Sequence, residues 1–269
     1  MFHTLTEELW EDRFRRTLLI GAPMSWKTSS FVSWPAPRGL ISYPGEHGVA
    51  SAEKEDYTIS AVWGVDTPGA KSTYQGMAAN IREQTIKILN AGVTTFCGDG
   101  LHKLYTVFHQ AALEQLVLEN EGSTKKQTED QLSGRAYGKA HLAFAEYLNQ
   151  VCSSKIKYVV FSAWKRDEKV DPRNPYSATI IVPSFPGIMS DQVLGEFGSV
   201  FYATPGQEMA PGRWGKGKWQ TKPGGGVVGV GLKVPARIAS QVPTFVDQDW
   251  LAFEQLVFSL KAKTGRREN

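Results

Sequence analysis

Short apolar runs alternate along this chain with segments in which apolar residues recur every three to four positions. The apolar runs predict strands at residues 17–21, 39–48, 57–65, 93–100, 157–164, 178–187 and 199–206. Helical spacing predicts helices at residues 27–34, 73–92, 101–118, 135–152 and 247–261, and a short one between the last two strands. Strands that alternate with helices predict an α/β fold with a mostly parallel central sheet and helices on both faces.

The length of 269 residues fits one large α/β domain. We expect an N-terminal segment at residues 1–16, and a core at 17–269 that contains a basic, glycine-rich hairpin at about 206–232 and a C-terminal helix. Two polar stretches, residues 120–134 and 165–175, lack periodicity and predict loops. The first carries Lys125 and Lys126 and is long enough for a functional loop.

Composition narrows the class of protein only a little. Hydrophobic residues make up 41% and charged residues 21%, which is typical of a globular protein, and the net charge of +3 is too small to indicate a polyanion partner. Cys97 and Cys152 have no metal-ligand spacing, so we expect reduced, buried thiols. No apolar run reaches the ~18 residues of a membrane span. We therefore expect a cytoplasmic protein with no membrane partner.

The segment "LLIGAPMSWKTSS" has the outline of a phosphate-binding loop, because a strand and Gly21 are followed four residues later by Lys27 and Thr28. Trp26 stands where that motif has its second glycine. The alternative is an ordinary strand–turn–helix with a surface lysine. If the loop is functional, it binds nucleotide through Gly21, Ala22, Pro23, Met24, Ser25, Trp26, Lys27, Thr28 and Ser29.

Polar residues at three further strand ends are candidates for the same site, because ligands of parallel sheets bind at the carboxyl ends of strands. Asp99 follows a strand, where it would hold Mg²⁺ together with Thr28, or would instead cap the next helix. Glu46 lies in a glycine-flanked turn, where it would activate a water molecule or remain a solvated surface residue. Ser162, Trp164 and Lys165 follow another strand, and Lys165 is a candidate catalytic cation, with a charged solvated loop as the alternative.

The segment "RWGKGKWQTKPGGG" interleaves cations with indoles. Cations can follow a phosphate backbone while indoles stack on bases, so this segment is a candidate contact for single-stranded DNA. The alternative is a surface hairpin whose tryptophans pack on the core. The candidate DNA-binding residues are Arg213, Trp214, Lys216, Lys218, Trp219 and Lys222.

The order of these segments, together with "GVGLKVPARIASQVPTFVDQDW", resembles the phage-encoded RecA-like P-loop AAA ATPases, which include the Sak-type single-strand annealing recombinases. The resemblance covers residues ~17–257. It implies a RecA-like core that binds ATP and Mg²⁺, assembles as a ring or filament, and acts on single-stranded DNA. A single-strand-binding protein is a further expected partner. The resemblance also matches Lys27 and Thr28 to the Walker A motif, Asp99 to Walker B, and Lys233 and Arg237 to a basic pair facing a neighbouring subunit's nucleotide.

Trp26 departs from the family pattern, and it leaves two functions open. One is an ATPase acting on single-stranded DNA in recombination, annealing or replication. The other is a degenerate P-loop protein with a structural or partner-binding role. A P-loop kinase for a small molecule fits less well, because no lid with clustered arginines is present in the sequence. We expect a site that keeps the P-loop shape but binds ATP weakly or hydrolyses it slowly.

Overall fold

The computed structural model describes residues 7–46, 59–62, 73–124, 126–171, 173–174, 176–186, 189–210 and 213–265. The helices are α1 Glu7–Phe14, α2 Tyr74–Asn90, α3 Leu101–Glu121, α4 Glu129–Cys152, α5 Met189–Glu196, α6 Ala236–Ala239 and α7 Trp250–Gly265. A 3₁₀ helix spans Ser29–Ser33. The strands are β1 Arg16–Gly21, β2 Arg38–Ser42, β3 Ile59–Val62, β4 Thr95–Asp99, β5 Tyr158–Lys169, β6 Thr179–Pro183, β7 Ser199–Ala203, β8 Glu208–Ala210, β9 Arg213–Trp214, β10 Lys218–Gln220, β11 Gly231–Leu232 and β12 Phe245–Asp247.

Ten of these strands form one mixed but mostly parallel sheet. Eight of them follow the order β12-β10-β7-β1-β5-β4-β2-β3, while β11 pairs with β7 and β6 pairs with β5. All neighbours from β7 to β3 are parallel. The antiparallel pairs are β10 with β12 and β7, β11 with β7, and β6 with β5. The α/β class and the mostly parallel sheet are therefore confirmed, and the carboxyl ends of β1, β2, β4 and β5 lie at one edge.

Helices cover both faces of the sheet, because the buried strands carry apolar side chains in both directions. On β1, Leu18 and Ile20 face one core cluster, which α2, α3, α4 and α5 complete. Leu19 faces the second cluster, to which α1 and α7 contribute Phe14, Trp250 and Phe253. This alternation is the period of two that a strand imposes.

The N-terminal helix is part of this packing. Phe14 is fully buried, and its ring lies 5.1 Å from that of Trp250. Arg15 also forms an ion pair with Glu254 at 3.1 Å. The described part of the predicted N-terminal segment thus packs on α7, and β1 begins at Arg16, within that segment.

Two predicted loops are wrong in extent. Helix α4 begins at Glu129 rather than Arg135, because Thr128 and Gln131 form a capping box, and only seven residues separate it from α3. Lys126 donates to the carbonyl oxygens of Asn120 and Glu121 at the end of α3, whereas Lys125 lies outside the described residues. Strand β5 continues through residues 165–169, because these residues pair with β6 in a hairpin.

The predicted basic hairpin at 206–232 is only partly formed. Strands β8 and β9 make a separate antiparallel pair, whereas β10 and β11 join the main sheet through β7. The predicted strand at 57–65 is described only over Ile59–Val62. Within the described part of the chain, no helix is long and apolar enough to cross a membrane.

Candidate functional site

The loop after β1 folds around the ammonium group of Lys27. Lys27 Nζ donates to the carbonyl oxygens of Gly21 at 3.1 Å and Ala22 at 2.6 Å, and to Ser25 Oγ at 3.1 Å. Only 7% of Lys27 is exposed, so it is not the surface lysine of the alternative interpretation. The loop therefore holds a buried positive charge at the carboxyl end of the central strand.

Burial lowers the pKa of Lys27 to about 8, against the opposing effect of the carboxylates of Asp99 and Glu46. The charged form is thus less favourable in the folded protein than in the unfolded chain. This cost is fully present below pH 8, and it disappears as the pH rises from about 8 toward the unfolded value of 10.5.

We predict that the free energy of unfolding of the protein rises with pH across this window relative to that of a Lys27→Met variant. The expected relative gain is on the order of 1–3 kcal/mol, because one pKa unit corresponds to about 1.4 kcal/mol. Urea unfolding of both proteins at pH 7.5 and at pH 10 measures it. A difference between the two proteins that does not change with pH would contradict the burial of the charge.

The backbone at Trp26 adopts the torsion that the missing glycine would favour. Its φ is +62°, and Met24 has a φ of +60°. Left-handed torsions bring Cβ close to the following carbonyl oxygen and cost a non-glycine residue ~1–2 kcal/mol. The sequence departure at Trp26 therefore places a side chain with a Cβ in a glycine-like backbone conformation.

We predict that a Trp26→Gly variant unfolds with a free energy about 1 kcal/mol higher than a Trp26→Ala variant. Both variants remove the half-buried indole, so their difference reports the cost of the torsion for alanine less the greater backbone freedom of glycine in the unfolded chain. Chemical denaturation of the pair gives the difference directly. If the alanine variant is as stable as the glycine variant, Trp26 does not adopt the left-handed conformation.

Asp99, at the end of β4, connects the Lys27 loop with β5. Its Oδ1 accepts hydrogen bonds from Thr28 Oγ1 at 2.9 Å and from Ser162 Oγ at 2.5 Å. Ser162 Oγ in turn accepts from the backbone N–H of Gly100 at 2.9 Å. The structure thus brings Lys27, Thr28, Asp99 and Ser162 together at the ends of β1, β4 and β5, and Asp99 does not act as a side-chain cap of α3.

The second oxygen of Asp99, Oδ2, is buried and has no hydrogen-bond partner. Burial raises the pKa of the carboxyl group, while the bonds from Ser162 and Thr28 and the charge of Lys27 oppose this. A carboxylate oxygen and a hydroxyl are ligands that Mg²⁺ accepts, and Mg²⁺ in phosphate sites takes only one or two protein ligands. The described residues contain no group of three or more His, Cys, Asp or Glu side chains that would hold a metal ion alone. The pair of Thr28 and Asp99 therefore fits Mg²⁺ shared with phosphates.

Glu46 reaches the same edge of the sheet from the turn after β2. Its side chain lies against Gly100, where an added Cβ would stand 2.2 Å from Glu46 Cγ and where φ is +89°. Glycine at position 100 is therefore required for this approach. Burial and the neighbouring charge of Asp99 raise the pKa of Glu46 to about 7, although Lys103 and Lys27 lower it. This side chain is largely buried, not a solvated turn residue.

His102, on the first turn of α3, is a site residue that the sequence interpretation missed. Its Nε2 lies 3.3 Å from Glu46 Oε1, and its Nδ1 accepts from the backbone N–H of Trp164 at 3.3 Å. Burial and the charges of Lys103 and Lys27 lower the pKa of His102 to about 3, so the ring is neutral. The sequence contained one signal for this residue, namely its position three residues after the acidic end of β4.

The other predicted cations lie in different surroundings. Lys165 forms an ion pair with Asp167 on the exposed part of β5. Lys233 donates to the carbonyl oxygens of Leu194 and Gly195 and so caps the end of α5. Arg237 is on α6, where its own carbonyl oxygen accepts from Ser240 and Gln241. None of the described side-chain bonds of Lys165 or Lys233 joins the Lys27–Asp99 group.

The predicted DNA-binding segment is corrected at Trp219. This side chain is fully buried and stacks on Phe201 at 5.2 Å, because alternation along β10 directs it into the core. Lys218 pairs with Asp247 at 2.8 Å, and Lys222 donates to the carbonyl oxygen of Ser240. Lys216 is exposed. Only the backbone of Arg213 and Trp214 is described, as strand β9, so the structure does not test the roles predicted for their side chains.

The fold and the site together define an α/β protein with a mostly parallel sheet, compatible with a Rossmann-like fold, that collects lysine, hydroxyl and carboxylate groups at one sheet edge. Comparison with known protein families gives no match, and comparison with curated proteins also gives none.

Proposed function

We propose that the protein is a RecA-like P-loop ATPase that binds ATP with Mg²⁺ at the ends of β1 and β4 and acts on single-stranded DNA. The observation that carries the proposal is the hydrogen bond between Thr28 and Asp99 beside the buried ammonium group of Lys27. Two strands that are not neighbours in the sheet contribute these groups, since β5 lies between β1 and β4. An ordinary strand–turn–helix does not require a buried lysine, a hydroxyl and a carboxylate to meet at the ends of two separated strands.

Each residue would have a distinct role. Lys27 neutralises the β- and γ-phosphates, and its ammonium group exchanges the loop carbonyl oxygens for phosphate oxygens. Thr28 and Asp99 hold Mg²⁺, which neutralises the charge that develops on the phosphates. Glu46 orients a water molecule and accepts its proton, which a carboxyl group with a pKa of about 7 does well near neutral pH.

The DNA part of the proposal rests on the resemblance to the recombinase family and on exposed cations near β10, namely Lys216 and Lys218. Because Trp219 is buried in the core, stacking of this indole on DNA bases is not part of the proposal. Cations alone support binding that follows the phosphate backbone without reading the sequence and that weakens strongly with salt.

A second candidate function is that of a P-loop protein that no longer hydrolyses nucleotide and serves in assembly or partner binding. Two observations favour it. Trp26 carries a Cβ in the glycine-like conformation, and Lys27 already has three partners within its own loop. Both features disfavour the entry of phosphates.

ATP turnover, measured with and without single-stranded DNA, separates the two candidates. The ATPase proposal expects Mg²⁺-dependent release of phosphate that single-stranded DNA changes. Turnover that remains at the buffer background under both conditions would favour the non-catalytic candidate. Repeating the assay with the Trp26→Gly variant tests whether this residue is the obstacle, because restored turnover would locate the defect in the loop.

A further inference from the structure

Three elements meet at the imidazole of His102. Glu46 arrives from the turn after β2, His102 from the first turn of α3, and Trp164 from β5. All three are close to the Lys27–Asp99 group, yet none of them belongs to the phosphate loop. The exposed fraction of the side chain is only 7% for His102 and 10% for Glu46, so water does not compete freely for their contact.

The hydrogen bond from Trp164 determines which nitrogen of His102 carries the proton. Because Nδ1 accepts from the backbone N–H of Trp164, Nδ1 is unprotonated, and in a neutral ring Nε2 must carry the hydrogen. That N–H group is the only donor that the ring retains. The tautomer therefore presents a donor at the nitrogen that lies nearest to Glu46.

Nε2 of His102 and Oε1 of Glu46 are 3.3 Å apart, and neither atom has a well-aligned hydrogen bond to another group. Buried polar atoms are rarely left without partners. A small rotation of either side chain would align the N–H group with the carboxylate oxygen, and this is the change by which catalytic hydrogen bonds tighten on substrate binding.

The indole of Trp164 holds the imidazole in place. The two rings are 4.8 Å apart with an interplanar angle of 31°, and the ammonium group of Lys103 lies 4.7 Å from the centre of the indole ring. The ring of His102 thus contacts the indole of Trp164 and also accepts from the backbone N–H group of the same residue.

We propose that His102 is a positioning residue for Glu46: its Nε2–H holds the carboxyl group in the orientation needed to act on water, and its Nδ1 ties that orientation to β5. This inference rests on the proposed function, because it assigns to Glu46 the role of acting on water. It adds a histidine that does not itself touch phosphate or the reacting water.

The first test needs no nucleotide. Long-range ¹H–¹⁵N NMR spectra of the ¹⁵N-labelled protein report which ring nitrogen is protonated, and a His102→Gln variant identifies the His102 signals. We expect an unprotonated Nδ1, a protonated Nε2, and a shift of the Nε2 signal in a Glu46→Ala variant. A proton on Nδ1, or an Nε2 signal that Glu46→Ala leaves unchanged, would overturn the proposal.

The second test uses ATP turnover. In a His102→Phe variant, which keeps a ring but lacks the N–H group, we expect kcat to fall roughly 10–100-fold with little change in KM, as for other residues that orient a functional group. A His102→Gln variant supplies one donor and one acceptor and should recover most of the loss. His141→Phe, at a ring contact between α3 and α4, is the control and should leave kcat unchanged.

The outcomes separate this inference from the proposed function. If the protein hydrolyses ATP but His102→Phe keeps its kcat, or if His102→Gln rescues nothing, the positioning role is wrong while the ATPase stands. If the protein neither binds nor hydrolyses ATP, the proposed function fails. The role of His102 in positioning Glu46 then fails with it, and the NMR spectra decide only whether the contact exists.

Discussion

An Asp99→Asn variant is expected to lose Mg²⁺-dependent ATP turnover while it still binds the nucleotide. Asparagine keeps an oxygen that can accept from Thr28 and Ser162, so the contacts between the three strands persist. The variant lacks the negative charge that Mg²⁺ needs, and Oδ2 is replaced by an amide group that cannot act as a ligand. Loss of several kcal/mol of charge stabilisation corresponds to a fall in kcat of roughly 100-fold or more.

Phosphate release by the purified variant, with its ATP affinity measured in parallel, provides the comparison. Asp247→Asn is the matched control, because Asp247 is exposed and its partner Lys218 lies away from the Lys27 loop. We expect this control to keep full turnover. An Asp99→Asn variant with the turnover of the parent protein would show that Asp99 does not hold the metal ion.

A Trp219→Ala variant is expected to be less stable by about 3–5 kcal/mol, which is the range for deleting a buried aromatic side chain. Trp219 is fully buried between Phe201, at a ring distance of 5.2 Å, and Trp34, at 5.4 Å. Its removal leaves a cavity in the cluster that joins β10 to α7. The free energy of unfolding, measured with urea, tests this value.

The control for this prediction lies on the same strand. Lys218→Ala removes an exposed ion pair with Asp247 and should change the free energy of unfolding by less than about 1 kcal/mol. A Trp219→Ala variant that keeps the stability of the parent but binds single-stranded DNA more weakly would place this indole on the surface. The DNA-stacking role predicted from the sequence would then be correct.

The alternation of apolar runs and helical segments was sufficient to predict the class of fold. Strands β1, β2, β4, β5 and β7 lie within or beside the predicted runs, because buried parallel strands are continuous apolar stretches. The sequence did not indicate that β5 continues to Lys169. Its final residues are charged, and they form a strand only because β6 pairs with them.

The loop predicted at residues 120–134 failed for a reason that the sequence did contain. Thr128 followed three residues later by Gln131 is a capping-box pattern, and Glu129 and Asp130 favour the first turn of a helix. Polarity alone predicts a loop here, although an exposed helix end is equally polar. The surface position predicted for Trp219 was wrong for a similar reason, because the alternation of Lys218 and Trp219 fits a strand with one buried face.

The core of the site followed from one rule, that parallel strands end at a common edge. This rule places Lys27, Thr28 and Asp99 together without any measured distance. The same rule also places Ser162 at this edge. It does not predict the bond from Ser162 to Asp99, because the order of strands in the sheet decides which neighbours meet. His102 and the clearance that Gly100 gives to Glu46 depend on contacts between three elements, which no single segment of sequence specifies.

Calorimetric titration with ATP and Mg²⁺, of the protein and of its Lys27→Ala variant, tests the central claim most directly. The proposed site predicts that the protein binds ATP and that the variant binds roughly 10–150-fold more weakly, since a buried charge-assisted contact contributes about 1.5–3 kcal/mol. A Lys218→Ala variant should bind ATP like the parent protein, because the ammonium group of Lys218 pairs with Asp247 in the parent and not with the Lys27 loop. Equal affinity of the parent and Lys27→Ala, or no binding by the parent, would contradict a nucleotide site at this loop.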